Sequence, residues 1–269
     1  MQIRDRIDEY FRSKSVEYYA IISYSDASLI NPSLIDREDF IPKSCILFLL
    51  PYYTERGENL SSYAISYDYH LAIREVSDGL TELLGELCPG SSSKGYGDHS
   101  PIDERHAALI SGLSVLGDSG LLINEKYGTY VFVGDVICDI SPSLLGASEP
   151  CEIKYCEHCG RCKAACPTGI LRREGTDCLS AITQRKGELT DEQISLMREY
   201  NTVWGCDECQ RSCPHNAHPV RTPIEFFYKD RIPRLDSDIL SSLDKESFSK
   251  RAFAWRGRKT VERNLDVLK

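Results

Sequence analysis

Closely spaced cysteines are the feature that most constrains how this chain can fold. Residues 156–167 follow the pattern C-x2-C-x2-C-x3-C-P, which ends at Cys166 and Pro167. This run is typical of bacterial ferredoxins with two 4Fe-4S clusters, in which three thiolates bind one cluster and the fourth binds the other. A four-cysteine zinc site more often uses two separated C-x-x-C pairs, and it leaves the proline unexplained. The spacing therefore predicts iron–sulfur clusters that conduct electrons.

A second cysteine group completes the pattern only if a distant cysteine joins it. Cys206, Cys209 and Cys213 repeat the end of the first run, but no cysteine lies three residues before Cys206. Cys178 is the natural candidate for the missing ligand, and Cys151 or a ligand from outside the chain is the alternative. By the crossing rule for these motifs, we predict two 4Fe-4S clusters. One is expected to bind Cys156, Cys159, Cys162 and Cys213, and the other Cys166, Cys178, Cys206 and Cys209.

Composition excludes several other classes of protein. Nine of the twelve cysteines fall between residues 151 and 213 of a 269-residue chain, which is unlike the disulfide scaffold of a small secreted protein. The N-terminus resembles a charged amphipathic helix rather than a signal peptide, and the apolar stretch from Cys45 is far shorter than the ~20 residues of a membrane span. The net charge of -9 disfavours nucleic acid. We expect a cytoplasmic protein with no membrane segment.

The residues before the cysteines predict a mixed α/β fold. Apolar runs from Val16 and Cys45 predict strands, and helical spacing predicts a long helix over residues 64–87. A second helix is expected near Pro101, and a hairpin is expected to turn at residues 126–128.

Three domains follow from this pattern. We assign residues 1–149 to an α/β domain, residues 150–222 to a two-cluster ferredoxin-like module with two short helices inserted over residues 176–200, and residues 223–269 to a helical segment that packs on the body. The remaining cysteines, Cys45, Cys88 and Cys138, have no ligand spacing and are expected to be small apolar residues of the core.

Several segments resemble the epoxyqueuosine reductases, a family of cobalamin-dependent enzymes of queuosine tRNA modification that is related to the reductive dehalogenases. In the cysteine half these segments are CEHCGRCKAACPTGIL (156–171), DCLSAITQRKG (177–187) and GCDECQRSCPHN (205–216). Upstream and downstream, LPYY (50–53), YDYH (67–70), GDHSP (97–101), residues 120–136 and WRGRKTVERNL (255–265) follow in the family's order. The resemblance covers nearly the whole chain and is most specific in the cysteine half.

The resemblance implies that the α/β domain binds cobalamin and that Asp98 is catalytic. In the family, an aspartate in a D-[ST]-x-P context donates a proton beside the corrinoid, and Asp98 occupies that position. A carboxyl group in a partly dry pocket has a raised pKa and can remain an acid near neutrality. The alternative is that Asp98 caps the helix expected near Pro101. The resemblance favours the catalytic role.

Three further residues are predicted to lie near the cofactor. Tyr67 and His70 belong to the family's Y-x-Y/D-H pattern and are expected to line the corrinoid face, although a lone helical histidine is more often structural. His99 stands where the family has a small hydroxyl residue. It is either a second proton donor or, as we favour, a surface histidine.

Departures from the family bear on the substrate. The family's G-L-G-W-I-G-K-N stretch reads GLSVLGDS (112–119) here, so that Val115 and Asp118 replace an aromatic and a cationic residue. A charge reversal near a substrate pocket predicts a different substrate. Many members also continue into a helical-repeat domain that helps to hold tRNA, whereas this sequence stops at Lys269.

The sequence thus predicts a reductase that passes electrons through two clusters to cobalt. The expected partners are a low-potential donor such as flavodoxin or ferredoxin and a substrate that is a small molecule or a modified nucleoside, with tRNA disfavoured. Basic residues of the tail could touch phosphates, or the tail could simply pack Phe253, Trp255 and Leu265 against the body. The competing hypothesis is an electron-transfer protein without substrate chemistry of its own.

Overall fold

A computed structural model describes residues 3–173 and 177–269. The strands are β1 (Tyr19–Ser23), β2 (Ser44–Pro51), β3 (Ser93–Tyr96), β4 (Val115–Leu116), β5 (Leu122–Ile123) and β6 (Val131–Cys138). The α-helices of the first half are α1 (Ile3–Ser13), α2 (Tyr69–Leu87), α3 (Glu104–Ile110) and α4 (Pro142–Leu145). Those of the second half are α5 (Arg161–Ala165), α6 (Leu179–Thr183), α7 (Asp191–Glu199), α8 (Glu208–Arg211), α9 (Ser237–Ser242), α10 (Lys245–Ser249) and α11 (Arg258–Val267).

The main sheet has antiparallel strands in the order β1-β2-β6-β3. All eight residues of β2 are buried, because both faces of the sheet are covered. Phe48 packs in an apolar cluster with α1 and α2, whereas its neighbour Leu47 packs in a second cluster with α3. This alternation follows from the period of a strand, and burial of each such side chain stabilises the fold by about 1.5–3 kcal/mol.

The strand predicted from Cys45 and the end of the long helix at Leu87 are confirmed. Helix α2 begins at Tyr69 rather than at Ala64, because the Asp68 carboxylate accepts a hydrogen bond from the backbone N–H of His70 and caps the helix. No helix in the described parts of the chain is long and apolar enough to cross a membrane.

Two expectations about the following segment are wrong in detail. The helix expected near Pro101 begins at Glu104, because Asp103 is its cap and accepts from the backbone N–H of His106. The segment around residues 126–128 does turn, but β5 pairs with β4 while β6 pairs with β2 and β3. The Asn124 side chain closes this turn locally by accepting from the N–H groups of Lys126 and Tyr127.

The two helices predicted over residues 176–200 are α6 and α7, and Thr176 itself lies outside the described residues. The C-terminal segment packs against them and against the α/β part, and its Phe253 and Leu265 share an apolar cluster with Trp204. Trp255 differs from the expectation, since it is 57% exposed. The tail therefore packs on the body but leaves one large aromatic side chain at the surface.

Candidate functional site

Four thiols converge on one cavity of about 520 Å³, which is lined by Cys166, Cys178, Cys206 and Cys209. This is the set that the crossing rule assigns to one cluster, and it includes the distant Cys178. The alternative ligand, Cys151, is not among the lining residues, and its thiol donates instead to the backbone oxygen of Leu109 at 3.6 Å. The number and kind of donors fit one cubane cluster.

The other four predicted ligands also lie close together. Burial raises the pKa of Cys213, and the neighbouring Cys159 and Cys156 raise it further. Burial likewise raises the pKa of Cys162, which is also affected by Cys156 and Cys159. The pKa of Cys209 is raised mainly by burial and by the neighbouring Cys206 and Cys178. Cys162 of the other group is close enough to raise it further. The two groups of thiols are therefore adjacent, as electron transfer between two clusters requires.

Buried hydrogen bonds fix the second cysteine loop to the α/β part. Asp207, which is 3% exposed, accepts from the hydroxyl of Ser61 and from both the backbone N–H and the hydroxyl of Ser62, the last two at 2.7 Å. Gln210 Nε2 donates to the backbone oxygen of Thr129 at 3.1 Å. These contacts hold the C-x-x-C turn against the segment before β6 and the segment before α2.

Asn216 completes this attachment at the end of the cysteine segment. Its Oδ1 accepts from the backbone N–H of Thr129 at 3.0 Å, and its Nδ2 donates to the Thr129 hydroxyl at 2.7 Å. A Cβ at Gly128, which has a φ of +57°, would lie 1.8 Å from Asn216 Oδ1. Only glycine allows the two segments to approach this closely.

Asp118 lies at the first cysteine group and not at the substrate pocket where the sequence placed it. Its backbone N–H donates to Cys156 Sγ at 3.4 Å, and its carboxylate binds His158 Nδ1 and Lys163 Nζ, each at 2.7 Å. The negative charge at this position is thus balanced by the neighbouring Lys163. It gives no support to a changed substrate.

A second cavity, of about 580 Å³, contains Asp98 and His70. Tyr63, Phe132 and Ser180 line both this cavity and the one with the four thiols, so the two cavities adjoin. The ring of Phe132 stacks on Tyr69 at 3.8 Å between centroids. The structure therefore connects the predicted cluster ligands to the predicted proton donor through an aromatic wall.

Asp98 is held in this cavity by three contacts. Its Oδ2 accepts from the hydroxyl of Tyr69 and lies 3.4 Å from His70 Nε2, while its backbone N–H donates to Glu104 Oε1 at 3.2 Å. Its φ of +59° is unusual for a residue with a side chain. The alternative that Asp98 caps the following helix is wrong, because Asp103 does so.

The electrostatics of Asp98 differ from the expectation. Burial raises the pKa of Asp98, but hydrogen bonds from His70 and Tyr69 outweigh burial, so the pKa lies below its usual range. Hydrogen bonds to Asp68 and then to Asp98 raise the pKa of His70 to about 10. Near neutral pH, Asp98 is therefore a carboxylate and His70 an imidazolium, and the pair together holds one transferable proton.

The other two residues predicted to lie near the cofactor, Tyr67 and His99, do not line the second cavity. Tyr67 donates its hydroxyl to Asp230 and lies under the guanidinium of Arg251, outside the lining of the cavity among the described residues. His99 is exposed and is not a lining residue either. Sequence reasoning missed Tyr69 and Phe132, although Tyr69 belongs to the YDYH segment that drew attention to its neighbours.

Comparison with known proteins supports the iron–sulfur segment and the fold of the whole chain. A family model described as a 4Fe-4S double cluster binding domain matches residues 155–216. The epoxyqueuosine reductase of Listeria monocytogenes serovar 1/2a is 29% identical to this chain over 262 residues, which are 89% of this chain and 66% of that protein. This chain thus spans just under two thirds of the length of that relative.

Solved structures show the same fold. An epoxyqueuosine reductase from Bacillus subtilis, in which the loop with the catalytic aspartate is swung out of the active site, has a TM-score of 0.78 and 24% identity. An epoxyqueuosine reductase in complex with an epoxyqueuosine-modified tRNA stem loop has a TM-score of 0.79 and 23% identity. Each match covers 99% of this chain and 80% of the other. The resemblance and the fold class inferred from the sequence, an α/β part followed by a two-cluster module, are confirmed.

Proposed function

We propose, from the similarity of this chain to the epoxyqueuosine reductases over most of its length, that it is a cobalamin-dependent iron–sulfur reductase. The observation that carries the proposal is the pair of adjoining cavities, one lined by four thiols and the other containing Asp98. Residues 150–222 would hold two 4Fe-4S clusters, and residues 1–149 would bind the cofactor and the substrate. Residues 223–269 would close the second cavity from the side of Trp255.

The residues around the second cavity fit a corrinoid. The aromatic rings of Tyr63, Tyr69 and Phe132 offer flat apolar walls to a large macrocycle, and the cavity opens toward the thiols. Bound cobalamin would supply the electron-rich metal centre for the reduction, whereas the protein supplies binding, orientation and protons. This division of labour explains why aromatic walls and a proton source occur together.

Asp98 and His70 are the proposed source of that proton. Reductive removal of an epoxide oxygen takes up two electrons and two protons and releases water. The His70 imidazolium would pass its proton to the Asp98 carboxylate through their contact, and Asp98, which faces the cavity, would deliver that proton to the substrate. In the Bacillus subtilis relative, the catalytic loop named for an aspartate is swung out of the active site, and Asp98 also lies on a loop, between β3 and α3.

Electrons would come from a low-potential one-electron donor of the flavodoxin or ferredoxin type. The cluster that the first group of thiols would hold, of which Cys159 is exposed, would receive them at the surface. We place this chemistry in the cytoplasm, because thiolate ligands persist in a reducing compartment.

Cobalamin binding tests the proposal against the competing electron carrier. Anaerobically purified protein with both clusters should bind cobalamin with a shift of the corrinoid absorption bands. Replacing Phe132 with Ala should weaken binding, because it removes a wall shared by both cavities. Exposed Tyr155, which lines neither cavity, provides the control Tyr155→Ala. A spectrum that equals the sum of the free components would support an electron carrier.

Two substrates remain in view, and the structural relative bound to a tRNA stem loop favours a modified nucleoside in tRNA. One observation favours a small molecule instead. Two cationic side chains of the tail form hydrogen bonds within the protein. Arg258 donates to the backbone oxygens of Leu240 and Leu243. Arg263 donates to those of Arg185 and Gly187. They are less available for phosphate contacts than the sequence suggests.

Binding of tRNA at near-physiological salt separates these substrates. If the substrate is a small molecule, the dissociation constant should be no tighter than the ~10⁻⁴ to 10⁻⁶ M of non-specific association, with a steep dependence on salt. A nanomolar affinity that depends on the anticodon loop would establish the modified nucleoside in tRNA as the substrate.

A further inference from the structure

A buried carboxylate oxygen at the centre of the sheet has no hydrogen-bond donor. Asp135 on β6 is 0% exposed and stands between Leu47 of β2 and Tyr96 of β3. Its Oδ2 accepts from the hydroxyl of Ser100 at 3.2 Å, whereas its Oδ1 has no partner in the described part of the chain. Buried polar atoms are nearly always paired, so this oxygen calls for a donor.

Glu104 is the side chain placed to supply it. Glu104 is the first residue of α3, and its carboxyl group contacts that of Asp135. Burial raises the pKa of both carboxyl groups, and the charge of Asp135 raises that of Glu104 further. Two carboxylates this close to each other and away from water do not both ionise near neutrality.

The groups around the pair offer no positive charge. Besides Asp98, the titratable neighbours are Tyr24 in the turn after β1, Cys45 on β2 and Tyr96 on β3. The pKa of each of these three neighbours is raised, first by burial, and Asp135 adds to the increase. Among the described residues, no cation shifts the pKa of Glu104 or Asp135. A shared proton is therefore the available means of stabilising the pair.

We propose that Glu104 and Asp135 share one proton and that this pair holds the Asp98 loop beside the second cavity. The inference rests on the proposed function, because it concerns the placement of Asp98. Glu104 and Asp135 are positioning residues, since they act on the loop and not on the substrate. The pair attaches the loop at two points, from Asp98 N–H to Glu104 Oε1 and from Ser100 Oγ to Asp135 Oδ2.

The shared proton makes this attachment dependent on pH. With the proton present, Glu104 donates to Asp135 Oδ1 and keeps its other oxygen for the backbone N–H of Asp98. When the proton is lost at alkaline pH, two negative charges repel each other, and Glu104, which is only partly buried, moves toward solvent. The contact with Asp98 N–H is then broken, and the loop is released.

Hydrogen–deuterium exchange of the cluster-loaded chain tests the proposal without cobalamin or substrate. The peptide covering residues 97–103 should exchange roughly tenfold faster at about pH 9 than at about pH 6, after correction for intrinsic rates. Glu104→Gln should remain protected at both pH values, because its amide donates to Asp135 and its oxygen still accepts from Asp98. Glu104→Ala should exchange fast at both.

The glutamine variant decides the matter if the alanine variant fails to load clusters. Protection that falls with pH in Glu104→Gln as it does in the wild type would overturn the proposal. So would a wild-type loop whose exchange does not change with pH. Failure to bind cobalamin would count against the proposed function alone, because the exchange experiment does not depend on it.

Discussion

The thiol cavity and the Asp98 cavity are neighbours, yet they are held in different ways. The loop of Cys206 and Cys209 is fixed by buried side chains, of which Asp207 alone accepts three hydrogen bonds. The loop of Asp98 lies at a more open surface and is held by groups that gain and lose protons, among them His70 and Glu104. Ligands of an electron carrier must keep their positions, whereas a proton donor must be recharged after each proton transfer.

Removing a predicted cluster ligand from the thiol cavity should have the largest effect. Cys178→Ala should lower the iron content from about eight to about four atoms per chain, because one cubane loses a ligand and the other keeps its own four. Turnover should be lost as well, since the affected thiols line the cavity next to Asp98. Cys151→Ala is the matched control, and an unchanged iron content in Cys178→Ala with a loss in the control would reverse the assignment.

Removing the proposed proton donor should leave the thiol cavity intact. Asp98→Asn should lower turnover by ~100-fold while iron content and cobalamin affinity stay the same, which is the usual contribution of a positioned acid. Asp103→Asn is a suitable control, because asparagine also caps helices well. A variant that melts much lower, with unchanged turnover per folded molecule, would show that Asp98 is structural.

Removing the buried Asp207 carboxylate, which fixes the loop of Cys206 and Cys209, should lower the stability of the protein. Asp207→Ala leaves the donors of Ser61 and Ser62 unpaired in the interior, which costs about 1–3 kcal/mol. The temperature at which cluster absorbance is lost should fall by roughly 5–10 °C. Glu208→Ala, in the same turn, removes a carboxylate that pairs with Arg211 near the surface and should change this temperature by no more than about 2 °C. Equal shifts in both variants would contradict the special role of Asp207.

The two regions also differ in how far the sequence reveals them. The predicted cluster ligands follow one another at short, fixed intervals, so spacing alone proposes seven of the eight, and the missing position before Cys206 proposes Cys178. The buried partners Asp207 and Gln210 carry no such signal. Each depends on a residue far away in the sequence, Ser61 or Thr129, that only the fold brings near.

The Asp98 cavity is assembled from separate segments and could not be derived from any one of them. Resemblance singled out Asp98 and His70, but it also singled out Tyr67, which the fold turns toward Asp230. Phe132 and Asp135 look like ordinary residues of an alternating strand, and nothing local indicates that one lines the cavity and the other meets Glu104. The predicted rise in the pKa of Asp98 is also wrong. The pKa is lowered instead, because burial is outweighed by the hydrogen bonds that His70 and Tyr69 on α2 donate to the carboxylate.

The smallest effect is expected from replacing His70, which holds the proton beside Asp98. The pKa of His70 is raised from about 6.5 to about 10, so its contribution to stability is fully present below about pH 6.5 and is lost as the pH rises through about 10. Its side chain is 44% exposed, and solvent screening reduces the effect. His70→Gln should therefore lower turnover by only about tenfold at neutral pH, because the amide still donates to Asp98 but carries no proton to transfer.

The pH dependence makes this test specific. In the wild type, the melting temperature should fall between about pH 7 and about pH 10, because the unfolded chain releases the His70 proton while the folded chain still holds it, and His70→Gln should remove that part of the decline. His99→Gln, at an exposed neighbour of Asp98, should leave both the pH dependence and turnover unchanged. If His70→Gln keeps the wild-type decline, the proton that supports Asp98 resides elsewhere, and the contrast with the rigid thiol region rests on Glu104 and Asp135 alone.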